Sequence, residues 1–117
     1  MNKASNVIEN AAKGKAFEKQ VGESLGNSKA SQVTIEAVDG TKTRVDFVQK
    51  QDGKVILTEA KSSQTAPLTP NQKKAHPQIE QSGGTVRGNK GTSVGLPNGE
   101  KIPPTKIDIV RPKDLKN

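Results

Sequence analysis

Two charged side chains stand at the end of an otherwise apolar stretch in the middle of the chain. Residues 55–61 read Val-Ile-Leu-Thr-Glu-Ala-Lys, which predicts a strand. Because side chains alternate between the two faces of a strand, Glu59 and Lys61 extend the face of Val55 and Leu57. Burying partly desolvated charges costs several kcal/mol unless they are paired or bind a metal ion. Two interpretations follow: a solvated pair where the sheet leaves the core, or a site that performs chemistry.

Two further acids occupy positions that favour an apolar residue. Asp46 lies between two apolar neighbours in the preceding strand-like segment, although Asp is a poor strand former. Glu18 lies four residues after Gly14 and three before Val21, which places a carboxylate within the apolar stripe of a predicted helix. Glu18 can also lie at the edge of that stripe, in solvent. Together with Glu59, these acids indicate a carboxylate site.

Carboxylate oxygens suit Mg²⁺ foremost, with Mn²⁺ and Zn²⁺ as alternatives. We expect Asp46, Glu59 and the backbone carbonyl of Ala60 to bind such an ion. Glu18 would be a further ligand, directly or through water. The ion would polarise a phosphate and lower the pKa of an attacking water, and Lys61 can orient that water or stabilise the charge that develops on phosphorus. The predicted chemistry is hydrolysis of a phosphodiester bond.

The remaining candidate for such chemistry is His76, the single His of the chain. A lone His can be a general base or a metal ligand. Sites in which a His has either role usually contain a second His or Cys, which this chain lacks. We therefore expect His76 to be a surface or packing residue, with contact to phosphate as the alternative.

The first half of the chain contains the elements that would position the acids. Apolar and small residues at spacings of three and four predict a helix over 4–25, which Gly26 and Asn27 end. Alternating apolar residues predict strands over 32–38, 43–49 and 54–61, with turns at 39–40 and 51–53. Three antiparallel strands therefore follow the helix. The third has apolar side chains on both faces, so it is predicted to be central in the sheet and covered on both sides.

The second half of the chain is predicted to return to the sheet after another helix. Thr69 as N-cap and Pro70 at the first helical position predict a helix over 70–81, which Pro77 should kink or shorten. Further strands are predicted over 85–87 and 105–110.

Segment 88–104 contains four Gly and three Pro and has no apolar period, so it is predicted to be a loop. This loop can contact a substrate or bind an inhibitor, or it can be a flexible connection. The ends of the chain, 1–3 and 112–117, are expected to be frayed.

Length and composition limit the class of protein. At 117 residues the chain is expected to be one domain, 1–117, with one modest core. With 29% hydrophobic residues, two Phe and no Trp or Tyr, the core must consist mainly of Val, Ile, Leu and Ala. The absence of Cys excludes disulfides and thiolate metal sites. No apolar run approaches the roughly 20 residues of a membrane span, and segment 1–12 lacks the apolar stretch of a signal peptide, so we expect no membrane span and no unaided export.

The net charge of +7 favours a polyanionic partner, either nucleic acid or an acidic protein inhibitor. A non-catalytic nucleic-acid-binding domain is the alternative to an enzyme. It leaves the three acids unexplained, because acids repel phosphate unless a metal intervenes, and such domains usually stack bases on aromatic side chains. Eight lysines can follow a phosphate backbone or form solvated surface: Lys13, Lys15, Lys19, Lys73, Lys74, Lys90, Lys101 and Lys106.

In order and spacing, these residues resemble the PD-(D/E)XK nuclease superfamily, which includes restriction endonucleases and many bacterial polymorphic toxin domains. The family carries an acid on the first helix, Asp on the second strand and (Glu/Asp)-x-Lys on the third. Glu18, Asp46 and the segment 59–61 match this pattern, although Val45 stands where the family name has Pro. The resemblance covers roughly residues 14–85. It implies a small α/β fold with a helix, three antiparallel strands, a second helix and further strands in a mixed central sheet.

The resemblance also implies a supporting residue for the site. Segment 68–72, Leu-Thr-Pro-Asn-Gln, is similar to the helix start of restriction-endonuclease-like toxin domains. Carried over, Gln72 would reach Lys61 or the phosphate; otherwise it is an exposed polar residue of the first helical turn. Nucleic-acid contacts are expected from Lys15, Lys73 and Lys74.

The biological setting is likewise an implication of the resemblance. A small basic domain without a separate recognition domain is similar to the toxin tip of a larger delivery protein, as in contact-dependent inhibition. Such a protein is secreted, acts in the cytoplasm of the target cell and is neutralised by an immunity protein. The expected substrate is DNA, slightly favoured over transfer RNA or other RNA.

Overall fold

The computed structural model describes residues 3–115, and of residues 3–12 the backbone alone. This part of the chain contains two helices, six strands and two turns of 3₁₀ helix. The helices are α1 (Lys3–Ser24) and α2 (Pro70–Ser82). The strands are β1 (Ala30–Glu36), β2 (Lys42–Gln51), β3 (Lys54–Ala60), β4 (Gly84–Arg87), β5 (Lys101–Ile102) and β6 (Ile107–Val110). The 3₁₀ turns are Thr92–Val94 and Pro112–Leu115. Each predicted helix and strand is present, with bounds that differ by a few residues.

The six strands form one mixed sheet in the order β5-β4-β1-β2-β3-β6. As predicted, β1, β2 and β3 are antiparallel neighbours, and β6 returns to the sheet parallel to β3. The expected α/β fold with a mixed sheet is confirmed. The expectation that β3 is central is wrong in one respect. Because β4 and β5 both extend the sheet beyond β1, the centre falls on β1 and β2, and β3 lies beside the edge strand β6.

Helices α1 and α2 cover opposite faces of the sheet. The larger core includes Ile79 of α2 and Val48 of β2. The smaller core includes Phe17 and Val21 of α1 and Phe47 of β2. Since residues 47 and 48 are consecutive in a strand, their side chains point to opposite faces. For β3, the strand for which cover on both sides was predicted, Leu57 belongs to the larger core and Ala60 packs against the smaller one, so this prediction is confirmed.

Helix α2 runs past Pro77 to Ser82 without interruption. The expectation that Pro77 shortens it is therefore wrong. Proline removes one helical hydrogen bond, but Ala75 and Ile79, on either side of it, are fully buried and anchor the helix to the sheet. The helix ends at Gly83, which has a φ of +78° and whose N–H donates to the Ile79 carbonyl.

Segment 88–104 is more ordered than its composition predicts. It includes the 3₁₀ turn Thr92–Val94 and strand β5, and Leu96 is only 1% exposed within the larger core. Gly91 permits this packing, because a Cβ at this position would lie 2.6 Å from the carbonyl oxygen of Leu96. Tertiary contacts rather than an apolar period order the segment.

The predicted fraying of the ends is tested only in part, because residues 1–2 and 116–117 lie outside the described residues. At the N-terminal end of the described residues, α1 already begins at Lys3. At the other end the Arg111 N–H donates to Asp114 Oδ2 at 2.7 Å, and Leu115 packs against the smaller core. The C-terminal segment is therefore structured as far as residue 115. Neither described helix is both long and apolar enough to cross a membrane.

The two glycines of α1 provide a matched test of how this helix packs on the sheet. A Cβ at Gly22 would lie 2.9 Å from the Phe47 ring, whereas a Cβ at Gly14 would have none of the described atoms within 4 Å. We expect Gly22→Ala to lower the free energy of unfolding by about 1 kcal/mol or more through overpacking. Gly14→Ala should raise it by up to about 1 kcal/mol through helix propensity. Urea unfolding measures both, and equal stabilisation by the two variants would contradict the packing of α1 on Phe47.

Candidate active site

The candidate site forms where β2 and β3 part. Their regular pairing ends at Phe47 and Thr58, so continuing the register would place Asp46 opposite Glu59. Instead the Ala60 N–H donates to Asp46 Oδ2 at 2.8 Å. A side-chain carboxylate thus replaces the backbone carbonyl that would otherwise accept this bond. The two strand acids predicted from the sequence are brought together at this opening.

The neighbouring strand is also irregular at this level. Ser31 pairs with Phe47, and Val33 pairs with Val45, but the residues between them, Gln32 and Asp46, are not paired. Val45 and Val48 both belong to the larger core although they are three positions apart, and regular alternation would place them on opposite faces. The alternation of β2 therefore slips by one position here. The slip brings the Asp46 side chain within reach of both Gln32 and β3.

Glu18 approaches the same opening from α1. Gln32 Nε2 donates to Glu18 Oε2 at 2.5 Å and, more weakly, to Asp46 Oδ1 at 3.4 Å. Burial and the charge of Asp46 raise the pKa of Glu18, and they outweigh the Gln32 hydrogen bond and the charge of Arg44, which lower it. Glu18 is half-buried and joined to the site, so the alternative of a plainly solvated position is excluded.

Glu59 lies on the α2 side of the opening and is only 1% exposed. The alternative interpretation, a solvated charge at a strand end, is therefore wrong for this residue. Its Oε2 accepts a hydrogen bond from Gln72 Nε2 at 2.9 Å, while its buried Oε1 has no partner in the part of the chain that the structure describes. Burial, followed by the charge of Asp46, raises the pKa of Glu59 to about 8.

Gln72 connects Lys61 and Glu59 through a single side-chain amide. Its Oε1 accepts from Lys61 Nζ at 2.9 Å, and its Nε2 donates to Glu59. The same Oε1 accepts from the Thr69 N–H at 2.9 Å, which completes the capping box of α2. Gln72 is buried, so the alternative of an exposed residue of the first helical turn is wrong. The structure brings it to Lys61, as the resemblance implies.

The donor set fits a hard divalent cation, although the side chains do not stand in a coordinating arrangement. Among the described residues, no three His, Cys, Asp or Glu side chains group as a metal site. Yet Asp46 acts on both Glu18 and Glu59, and the pKa of each of these two acids is raised. Glu59 Oε1 is also buried without a hydrogen-bond partner among the described residues. A cation would satisfy that oxygen and offset the repulsion. For Ala60 the structure shows a role for the N–H, and its carbonyl as a ligand stays a prediction.

A cleft of about 530 Å³ opens onto the site and carries cations that the sequence analysis missed. Lys42 and Arg44 of β2 line it beside Glu18, Asp46 and Gln72. Strand alternation was a usable signal, because residues 42, 44 and 46 fall on one face of a regular strand. Gln32 was also missed, and no sequence pattern marks it.

The predicted nucleic-acid lysines are placed differently from one another. Lys15 lines a second groove that borders Glu18 on the α1 side, together with Lys19 and Lys29. Lys73 and Lys74 are exposed on α2 and do not line the cleft. The structure therefore supports Lys15 as a neighbour of the site and leaves the roles of Lys73 and Lys74 as predictions.

His76 is a packing residue, one of the two positions expected for it. It is 5% exposed and lies one helical turn after Gln72, and its Nε2 has no partner within the described ranges. Burial lowers its pKa, and the charge of Lys61 acts in the same direction while that of Glu80 opposes it.

Comparison of the chain with known protein families, curated proteins and solved structures found no match.

The raised pKa of Glu59 predicts how the stability of the metal-free protein depends on pH. The folded state favours the protonated acid, so stability is lost as pH rises from about 4.5 to about 8, and the loss is complete above that range. The side chain in Glu59→Gln stays neutral at every pH. In EDTA, the free energy of unfolding of this variant should therefore increasingly exceed that of the wild type across this interval. Urea unfolding at several pH values measures the difference. The control is Asp108→Asn, an exposed acid of β6, and parallel curves for Glu59→Gln and the wild type would contradict the buried, protonated acid.

Proposed function

We propose that this protein is a metal-dependent nuclease that hydrolyses phosphodiester bonds. The observation that carries the proposal is the convergence of Glu18 from α1, Asp46 from β2 and Glu59 from β3 at the point where β2 and β3 part. Glu18 and Asp46 line the same cleft as Lys42 and Arg44. Glu59 lies next to this cleft, hydrogen-bonded to Gln72, which also lines it. Since packed acids destabilise a fold, their convergence favours a catalytic role over a structural one.

Asp46, Glu59 and Glu18 would bind the divalent cation, which when present activates the phosphate and lowers the pKa of a water. Lys61 provides the remaining charge of the site. Gln72 restrains its ammonium group at 2.9 Å and restrains Glu59 at 2.9 Å through the same amide. The positions of the acid and the lysine are thus coupled. Lys61 can donate a hydrogen bond to the attacking water or to a phosphate oxygen, and thereby stabilise the charge that develops there.

The cleft supports a nucleic acid as the substrate. Lys42 and Arg44 lie on one side of Glu18, and the groove with Lys15 and Lys19 lies on the other. Cations on both sides of the acids would neutralise phosphates that flank the scissile one. We favour DNA slightly over transfer RNA or other RNA.

The resemblance to polymorphic toxin domains supports a finer proposal. The domain would be the toxin tip of a secreted delivery protein, would act in the cytoplasm of the target cell and would be neutralised by an immunity protein. The net charge of +7 fits an acidic inhibitor.

Isosteric substitutions test the catalytic assignment. Asp46→Asn, Glu59→Gln and Lys61→Met should each lower the cleavage rate on the order of 100-fold or more, because each removes a charge that acts on the metal or the phosphate. Plasmid DNA and total RNA are incubated with each variant in Mg²⁺, Mn²⁺, Zn²⁺ or EDTA. His76→Ala and Asp108→Asn are controls that should retain most activity. Binding without cleavage in every metal would indicate a non-catalytic nucleic-acid-binding domain. Loss with His76→Ala and retention with Glu59→Gln would overturn the site.

The cleft cations make a separate prediction about binding. Lys42→Ala and Arg44→Ala should each weaken binding of a fluorescent oligonucleotide in EDTA, and each should reduce the slope of log affinity against log salt by about 1. Fluorescence anisotropy at several salt concentrations measures both effects. The control is Lys54→Ala, an exposed lysine at the far end of β3. Slopes that change equally for Lys54→Ala would show diffuse surface binding instead of binding in the cleft.

A further inference from the structure

Gln32 has a left-handed backbone in the middle of a strand. Its φ is +58°, a conformation that is unfavourable for residues with a Cβ. In the described part of the chain, the other non-glycine residue with a positive φ is Asp52. Asp52 lies in the tight turn between β2 and β3, and such turns require a positive φ. No turn requires it at Gln32, because β1 continues on both sides. A strained residue of this kind persists when its surroundings fix it, and such residues cluster at functional sites.

The side chain of Gln32 lies between two acids that would otherwise repel each other. One amide nitrogen, Nε2, is 2.5 Å from Glu18 Oε2 and 3.4 Å from Asp46 Oδ1. An amide nitrogen carries two hydrogens, so it can donate one to each acid. The nitrogen thus occupies the space that a cation shared by Glu18 and Asp46 would need.

The chemistry of the amide allows a second role at the same place. Rotation about the last side-chain bond exchanges Nε2 and Oε1, so an acceptor can stand where the donor stood. Side-chain amide carbonyls are neutral oxygen ligands for hard divalent cations. Gln32 can therefore be a donor to the acids without a metal and an oxygen ligand with one.

We propose that Gln32 belongs to the metal site, with Nε2 holding Glu18 and Asp46 in the metal-free protein and Oε1 binding the divalent cation that takes the place between them. This inference rests on the proposed metal-dependent function. The left-handed backbone of Gln32 then has a function, because this conformation directs the side-chain amide to the space between α1 and β2. It also accounts for the missing pair between Gln32 and Asp46 in the sheet.

Calorimetric titration with Mn²⁺, without nucleic acid, tests the assignment. Gln32→Leu should weaken Mn²⁺ binding about tenfold or more, as expected when an oxygen that binds or orients a metal is lost. Gln32→Glu should bind Mn²⁺ at least as tightly as the wild type, because it supplies an oxygen with a charge. In EDTA the same variant should have a lower Tm, because three acids then meet without the amide donor. Gln81→Leu and Gln81→Glu, at an exposed position of α2, are matched controls that should change neither quantity.

The contrary results are distinct. Wild-type affinity in Gln32→Leu, or an equal loss in Gln32→Glu, would show that the amide acts as a donor alone. If Gln32→Leu does not fold, Gln32→Gly removes the amide at a position whose positive φ glycine accepts, and it should show the same loss of Mn²⁺ affinity. A wild type that binds no Mn²⁺ would overturn this inference and the metal-dependent function together. A wild type that binds Mn²⁺ but cleaves nothing would overturn the proposed nuclease alone.

Discussion

The hydrogen bond from the Ala60 N–H to the Asp46 carboxylate occurs where two antiparallel strands stop pairing. A backbone N–H left there without an acceptor would be costly, and the carboxylate satisfies it while the strands separate. The separation gives Glu59 a position on the α2 side and leaves room for Glu18 on the α1 side. Each helix contributes one polar residue to this opening, Glu18 from α1 and Gln72 from α2. The opening would not exist if the pairing of β2 and β3 continued.

Gln72 shows how the fold stabilises this opening and the site together. Its backbone and side chain complete the cap of α2, and its amide contacts both Lys61 and Glu59. The position of the helix start is therefore tied to the position of the two charged groups. A buried polar network of this kind is stable when its members are satisfied, and here Glu59 Oε1 is left without a partner. The network thus satisfies the cap of α2, but it leaves one oxygen of the Glu59 carboxylate without a hydrogen bond from the described residues.

Ionisation of the buried acids at the site lowers the stability of the fold. The pKa of Glu18 and that of Glu59 are both raised, by burial first and by Asp46 second, so neither acid is charged at low cost. Active sites commonly retain such groups against stability because function requires them. In a chain of 117 residues this cost is considerable, because a small core has little stability in excess.

The sequence by itself determined the two helices and every strand except β5, because apolar periods, Thr69, Pro70 and the turn glycines are local signals. It also identified the acids and Lys61, since charges that interrupt an apolar face are visible in the order of residues. Tertiary structure alone decided the left-handed Gln32, the order of segment 88–104 around Leu96 and the persistence of α2 past Pro77. In each case contacts between distant residues outweigh local preference, and those contacts have no signature in sequence spacing.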